Sequence, residues 1–336
     1  MNIQMKQRYI LPALLLLCAA CQQEEWAQPE ADSSDAIRFA APSITVEKLT
    51  RSTFHNAFPT GGTFGVLGYC VPYQRGSDTE MDWASGSAYW GNKSGNAFPD
   101  VFFNQAVTYD GSACTYNFEN SGGPRKWYNT TDDAAATSPD SYRYTFFAYY
   151  PMDAFTVESP ASATTRGVPK LTFTMPFGET GDVATTTLND MQTPDAMVSV
   201  VYNHLRTTGN VGFNFSHIMT GLGFAVNNYN YGGDDETVTV KRVTLSGNFT
   251  RSITIDFSKN TNEDGFYTYS GTYPGTYAIY NNEEGLAVAP NSSVPLIGDK
   301  HLLLLSNATD GTYFGENVKV HVEYTYRGEA KNASAE

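Results

Sequence analysis

The sequence has 336 residues, enough for two domains of ordinary size, and a formal net charge of −14 from 35 acidic and 21 basic residues. An acidic chain is not expected to bind nucleic acid, because such binding depends on lysine and arginine neutralising phosphates. Tyrosine (22), phenylalanine (20) and glycine (29) are abundant. Short aromatic and β-branched runs between turn-forming residues favour an all-β sandwich fold.

The first twenty residues are typical of a secretory signal peptide. Lys6 and Arg8 precede an apolar run at 9–20, which is too short to span a bilayer. The run ends Leu17-Cys18-Ala19-Ala20-Cys21, and two small residues before a cysteine resemble the cleavage site of bacterial lipoproteins. We therefore predict a signal peptide at 1–20 and a membrane-anchoring lipid on Cys21. The alternative, a buried leucine-rich helix, is disfavoured because nothing apolar follows the run.

Residues 21–36 lack hydrophobic periodicity and are rich in Glu, Asp, Ser, Ala and Pro, which predicts a flexible tether. Its first residues, Gln22-Gln23-Glu24-Glu25, resemble the short acidic signal that sends Bacteroidetes lipoproteins to the outer face of the outer membrane. After cleavage the mature chain keeps 19 basic and all 35 acidic residues, a formal charge of −16. The predicted location is the cell surface, on the outer membrane.

The rest of the chain reads as β-strands that alternate with period two or form short apolar runs. The predicted strands are 37–41, 44–46, 64–71, 101–109, 142–150, 171–175, 196–201, 211–217, 222–227, 238–245, 252–257, 301–305 and 318–326. The run at 64–71 is predicted to be buried on both faces. Within 101–109, Phe103, Ala106 and Val107 are expected to point inward. Residues 262–265 are expected to form a hairpin turn with Gly265 at positive φ.

A polar stretch at 203–210 divides these strands, and it predicts two β-sandwich domains, at 37–205 and 206–336. Two cysteines remain after the lipidation site, Cys70 and Cys114. An oxidising cell envelope would permit a disulfide between them. The alternative is two buried thiols that pack as small apolar residues. The sequence leaves both outcomes open.

No catalytic, metal or cofactor site is predicted. The five histidines lie outside any recognisable catalytic motif, and metal-ligand spacings are absent outside the signal peptide. His217 alternates with Phe213 and Phe215, so it is expected to be an inward, hydrogen-bonded core residue. The acidic clusters at 132–133 and 234–236 lack the spacing of a calcium loop and are expected to be solvated turns. Aromatic residues such as Trp83 and Trp90 could stack on sugars, so a glycan-binding surface lipoprotein is the alternative function.

Several phrases in order along the chain resemble the fimbrillin family of Bacteroidetes-type cell-surface lipoproteins. They are Thr50-Arg51-Ser52-Thr53-Phe54, Gly62-Thr63-Phe64-Gly65-Val66, Phe103-Asn104-Gln105-Ala106-Val107-Thr108-Tyr109, Tyr144-Thr145-Phe146-Phe147-Ala148-Tyr149-Tyr150-Pro151, Asp195-Ala196-Met197, and Phe213-Asn214-Phe215-Ser216-His217 running into Leu222-Gly223-Phe224. The resemblance implies two domains of transthyretin-like topology and a fimbrial subunit that is not an enzyme. It also implies that other fimbrial subunits and a receptor on a host or bacterial surface are the partners.

In such proteins an Arg-specific protease removes the lipidated N-terminal segment with its first strand. The emptied groove then accepts a strand from a neighbouring subunit, which is β-augmentation. Arg51 is the best match to the arginine at which the family is cut. The alternative is that Arg51 is an ordinary surface arginine in a loop. Arg38 is the runner-up, but a cut there would leave the second predicted strand in place.

One departure from the family concerns the C-terminal residues. Family members usually continue with further strands that act as donors, whereas residues 328–336 here are polar. The domain at 206–336 is therefore expected to be incomplete at its end, or the subunit to donate by another route or not at all. Stalk, tip and anchor roles, in a homopolymer or a heteropolymer, stay open.

Overall fold

The computed structural model of the protein describes residues 36–45, 55, 57–72, 101–118, 124–127, 142–158, 170–176, 184–187, 193–229, 236–257, 259, 264–298, 301–306 and 314–335. Residues 36–336 form one compact unit. The strands of the described part are, in chain order, β1 (Ser43–Ile44), β2 (Thr63–Pro72), β3 (Phe102–Tyr109), β4 (Cys114–Thr115), β5 (Tyr142–Tyr150), β6 (Phe155–Glu158), β7 (Lys170–Thr174), β8 (Ala184–Thr187), β9 (Met197–His204), β10 (Asn214–His217), β11 (Thr220–Leu222), β12 (Ala225–Asn228), β13 (Val238–Asp256), β14 (Tyr267–Val288), β15 (Ser292–Pro295), β16 (Leu302–Leu304), β17 (Gly315–Tyr326) and β18 (Glu329–Ala335).

The helices in these ranges are short 3₁₀ turns at Met152–Ala154 and Arg206–Thr208. This composition confirms the predicted all-β fold class. Within the ranges given above, no helix has the length and apolar character needed to cross a membrane.

Two large sheets make up most of the fold. The first sheet has the strand order β1-β10-β9-β5-β2-β3-β4. The second has the order β18-β17-β13-β14-β8, with β7 also pairing with β13 and β6 pairing with β7. Two small sheets, β11 with β16 and β12 with β15, complete the described pairings. All neighbours in the first sheet are antiparallel except β1 and β10, which are parallel.

The first sheet is a middle layer with a hydrophobic core on each face. Along β5, Phe146 and Ala148 belong to a first core, whereas Phe147 and Tyr149 belong to a second core. The second core is shared with the second sheet, which contributes β13 and β14 residues to it. This position between two cores explains why 64–71 is apolar almost without interruption, as predicted for a doubly buried strand, and why 142–150 is rich in aromatic residues.

The sheets cross the boundary predicted between 205 and 206. Strand β10 lies in the first sheet beside β9, although its residues belong to the predicted C-terminal domain. Strand β7 pairs with β13 in the second sheet, although its residues belong to the predicted N-terminal domain. The polar stretch at 203–210 covers the end of β9 and the 3₁₀ turn at Arg206–Thr208 in the connection to β10, within the first sheet. Because polar turns also join neighbouring strands, such a stretch does not by itself mark a domain boundary.

Several predicted strands differ from those in the structure. The strands predicted at 238–245 and 252–257 are one continuous strand, β13, and the strand predicted at 222–227 is divided between β11 and β12. In β3, Val107 is buried as predicted, but Phe103 and Ala106 are exposed. Asn104 has φ of 50°, which interrupts the alternation and brings Phe102 to the buried face instead. The turn glycine Gly265 has φ of 86°, as predicted.

Candidate functional site

The N-terminal segment, defined as residues 36–45, lies along the edge of the first sheet. It runs parallel to residues 211–215, and its backbone bonds to them at intervals along its length. These bonds include Val211 N–H to Arg38 O at 2.8 Å, Ala40 N–H to Val211 O at 2.9 Å, Ser43 N–H to Phe213 O at 2.9 Å and Thr45 N–H to Phe215 O at 2.8 Å. The strands predicted at 37–41 and 44–46 are thus one extended segment as far as residue 45.

Two side chains of the N-terminal segment fill the first core. Ile37 is fully buried and Phe39 is 4% exposed. The Phe39 ring sits in a socket of aromatic rings, with centroids 5.4–6.4 Å away, and stacks on Phe213 at 23°. The rings that line this Phe39 socket are Phe64, Phe102, Tyr116, Phe146 and Phe213. The segment is therefore part of the core and not a surface addition.

The N-terminal segment also contacts the opposite side of the first sheet. Ile37 N–H donates to Arg125 O at 2.8 Å, and the Tyr116 hydroxyl donates to Ile37 O at 2.7 Å. The Cys114 thiol, in β4 at the far edge of the sheet, lies 3.3 Å from Ala40 O. Because β1 and β4 are the two outermost strands of the first sheet, these contacts show that the sheet curls and brings its two edges together. The N-terminal segment, which includes β1, forms the contact between them.

A buried carboxylate holds the chain just after residues 46–54, at His55. Asp195, with its side chain 3% exposed, accepts the His55 backbone N–H at 2.8 Å through Oδ2. Its Oδ1 lies 2.7 Å from Nδ1 of His217. The prediction that His217 is hydrogen-bonded is thus confirmed, although its side chain is 17% exposed and lies at the border of the core. Together Asp195 and His217 attach residue 55, at the approach to β2, to the ends of β9 and β10.

The two cysteines are too far apart to form a disulfide, so of the two outcomes that the sequence leaves open, the structure has two separate thiols. Cys114 pairs with Tyr109 at one end of β3, whereas Cys70 lies beyond Phe102 at the other end, on β2. Their separation along the strands is about 25 Å at roughly 3.3 Å per residue. A disulfide needs Cα atoms within about 7 Å. Cys70 is buried in the first core, and Cys114 is partly buried beside the N-terminal segment.

Other predicted site residues lie outside the described ranges. These are the lipidation site Cys21, the processing site Arg51, the aromatic pair Trp83 and Trp90, the acidic residues at 132–133 and Asp234 and Asp235 of the second cluster. Arg38, the runner-up processing site, is described. Its carbonyl is bonded to Val211 and it stands between the buried residues Ile37 and Phe39, so its peptide bond is held within the paired segment.

Some of the residues that hold the N-terminal segment lie outside the predicted strands. The sequence pattern predicts no strand at 124–127, yet Arg125 and Lys126 pair with the segment. Trp127 fixes this short stretch by stacking on the buried ring of His204, with centroids 5.7 Å apart. In the sequence, Trp127, upstream of the predicted strand at 142–150, is the residue that could have indicated a buried stretch here. Within the described residues, no cluster of three or more His, Cys, Asp or Glu side chains could hold a metal ion.

No protein-family model and no curated protein matches this chain. Among solved structures, a candidate cell adhesion protein from Bacteroides uniformis is similar, with 16% identity, a TM-score of 0.38, and coverage of 89% of this chain and 85% of that one. A candidate cell adhesion protein from Bacteroides ovatus shows 14% identity and a TM-score of 0.36 over the same shares. A fimbrial protein from Bacteroides ovatus shows 12% identity and a TM-score of 0.27, over 89% of this chain and 45% of that one.

Proposed function

We propose that this protein is a structural, tip or accessory subunit of a cell-surface fimbria that supports adhesion and assembles by strand complementation. The observation that carries the proposal is the N-terminal segment itself. It is an edge strand that supplies Ile37 and Phe39 to the core, and it precedes the arginine at which the family resemblance expects a cut. Such a segment can be replaced by a strand of the same shape from another chain.

Removing the segment would leave a groove with defined chemistry. The acceptors Val211 O, Phe213 O and Phe215 O and the donor Val211 N–H would lose their partners. The Phe39 socket would open to water. Unpaired strand edges and exposed apolar surface both favour association, so a processed subunit would be driven to acquire a new strand.

The same geometry supports Arg51 as the site of the proposed cut. A cut after Arg51 releases all of residues 36–45, whereas a cut after Arg38 leaves Phe39 and β1 in place. Asp195 holds residue 55, so the chain that begins at Ser52 stays attached to the sheet when the segment leaves. Before the cut, a lipid on Cys21 anchors the precursor to the outer membrane through the tether.

The experiment compares the wild-type precursor with Arg51→Ala, Arg38→Ala and Cys21→Ala in a fimbriated host. The wild type and Arg38→Ala are expected to lose the lipidated segment and to give detergent-resistant ladders on unboiled gels. Arg51→Ala is expected to keep the segment and remain a lipidated monomer, and Cys21→Ala is expected to lose its membrane anchor. If Arg51→Ala assembles like the wild type, or if the processed wild type stays monomeric, the proposal fails.

A further inference from the structure

The N-terminal segment defines which side chains its groove accepts. Ile37 and Phe39 point inward two residues apart, as expected for an extended chain. Phe39 pairs with Val211 and Ser43 pairs with Asn214, so four steps along the segment match three steps along its partner. This one-residue bulge contains Pro42, which is buried and has no N–H to leave unpaired.

The bulge resets the alternation, so the next inward residues are Pro42 and Ile44. Counted from Ile37, the inward positions are the first, third, sixth and eighth. The third position carries the largest side chain, and aromatic rings surround it. Because protein interiors are close-packed, a smaller side chain at this position would leave a cavity in the first core.

The exposed edge strand β18 does not have this pattern. It pairs with β17 on one side, lies at the edge of the second sheet, and all seven of its residues are exposed. Its side chains are Glu329, Ala330, Lys331, Asn332, Ala333, Ser334 and Ala335. The apolar residues among them are all alanines. Placed in the groove, β18 could pair through its backbone but would leave the Phe39 socket empty or place a polar group in it.

We propose that the vacated groove selects an extended segment of another surface subunit with a branched aliphatic residue and an aromatic residue two positions later. The segment runs parallel to β10, and apolar residues follow the aromatic residue at the third and fifth positions after it. The strand β18 of a second copy is not this donor. This inference rests on the proposed function, because the groove must first be vacated.

The test uses a soluble form beginning at Ala36 with a site for a specific protease inserted after Arg51. After cleavage the segment stays bound without a covalent link, and mild denaturant releases it. Three fluorescent peptides are then added on refolding: residues 36–45, the same peptide with Phe39→Ala, and residues 329–335. A 36–45 peptide with Arg38→Ala is the matched control, since Arg38 is exposed.

The peptide 36–45 and its Arg38→Ala control are expected to bind within about threefold of each other. The Phe39→Ala peptide is expected to bind at least about 100-fold more weakly, and the 329–335 peptide not to compete. If the 329–335 or Phe39→Ala peptide binds within about tenfold of 36–45, the inference is overturned but strand complementation stands. If no peptide rebinds while the protein remains folded by circular dichroism, the inference and the proposed function both fail.

Discussion

Replacing Phe39 by alanine tests whether the N-terminal segment contributes to the core as strongly as its burial indicates. A phenylalanine side chain buries about 150–250 Å², which at about 25 cal/mol per Å² is about 4–6 kcal/mol. Alanine keeps the methyl group, and measured Phe→Ala changes in cores are about 3–5 kcal/mol. Since Phe39 is 4% exposed and packed among aromatic rings, we expect the free energy of unfolding to fall by about 3–5 kcal/mol.

The assay is urea unfolding of the soluble form beginning at Ala36, followed by circular dichroism, with the slope against urea used to check two-state behaviour. The matched control is Phe103→Ala, because Phe103 is the same residue type on the same sheet but is 42% exposed. We expect the control to change the free energy by about 1 kcal/mol or less. If Phe39→Ala differs from Phe103→Ala by less than about 1 kcal/mol, the segment is not part of the core and the reasoning is refuted.

Three further predictions concern groups around the segment. Burial and the nearby charge of Asp110 raise the pKa of the Cys114 thiol to about 11, so maleimide labelling at pH 8 should be slow. It should accelerate about tenfold or more when the segment is released, and an unchanged rate would contradict the contact with Ala40. Asp195→Asn should lower the free energy of unfolding by about 1–3 kcal/mol, because the amide cannot accept hydrogen bonds from both His217 and the His55 N–H. The control Asp153→Asn, at an exposed position, should leave the free energy nearly unchanged in the same urea titration. Burial lowers the pKa of His204; the unfolded chain therefore takes up this proton near pH 6.5 before the folded protein does. The free energy of unfolding should therefore fall as pH drops below about 6.5, by at most about 1.4 kcal/mol per pH unit. Unfolding curves at about pH 7.5 and 5.5 should show a smaller fall for His204→Gln than for the wild type. An equal fall in both proteins would contradict this role of His204.

The doubly buried strands could be predicted from sequence, because a strand that is buried on both faces is rich in apolar residues whichever strands lie beside it. Residues 142–150 were predicted with the bounds that β5 has, and 64–71 lies within β2. The longest strand, β14, was missed because its first half contains Gly271, Pro274 and Gly275 among polar residues. Such residues usually mark turns, but here pairing with β13 on one side and β8 on the other keeps them within a single strand.

The site was predictable only in part, because its elements are distant in sequence. The residues at 37–41 show an alternation typical of a strand, but nothing local shows that they pair with Val211 or Arg125. The direction of β3 side chains depends on one backbone angle at Asn104, which the alternation of its neighbours does not reveal. The sequence left the pairing of Cys70 and Cys114 open for the same reason, because the strand register sets their distance and the sequence does not show that register.

The central claim is that residues 36–45 leave this subunit when it assembles. The most direct measurement is the N-terminal sequence, by mass spectrometry, of the protein extracted from surface filaments and separated from the unassembled membrane pool. We expect the filament form to begin at Ser52 and the membrane pool to begin at lipidated Cys21. Filament subunits that still carry residues 36–45 covalently would contradict the account.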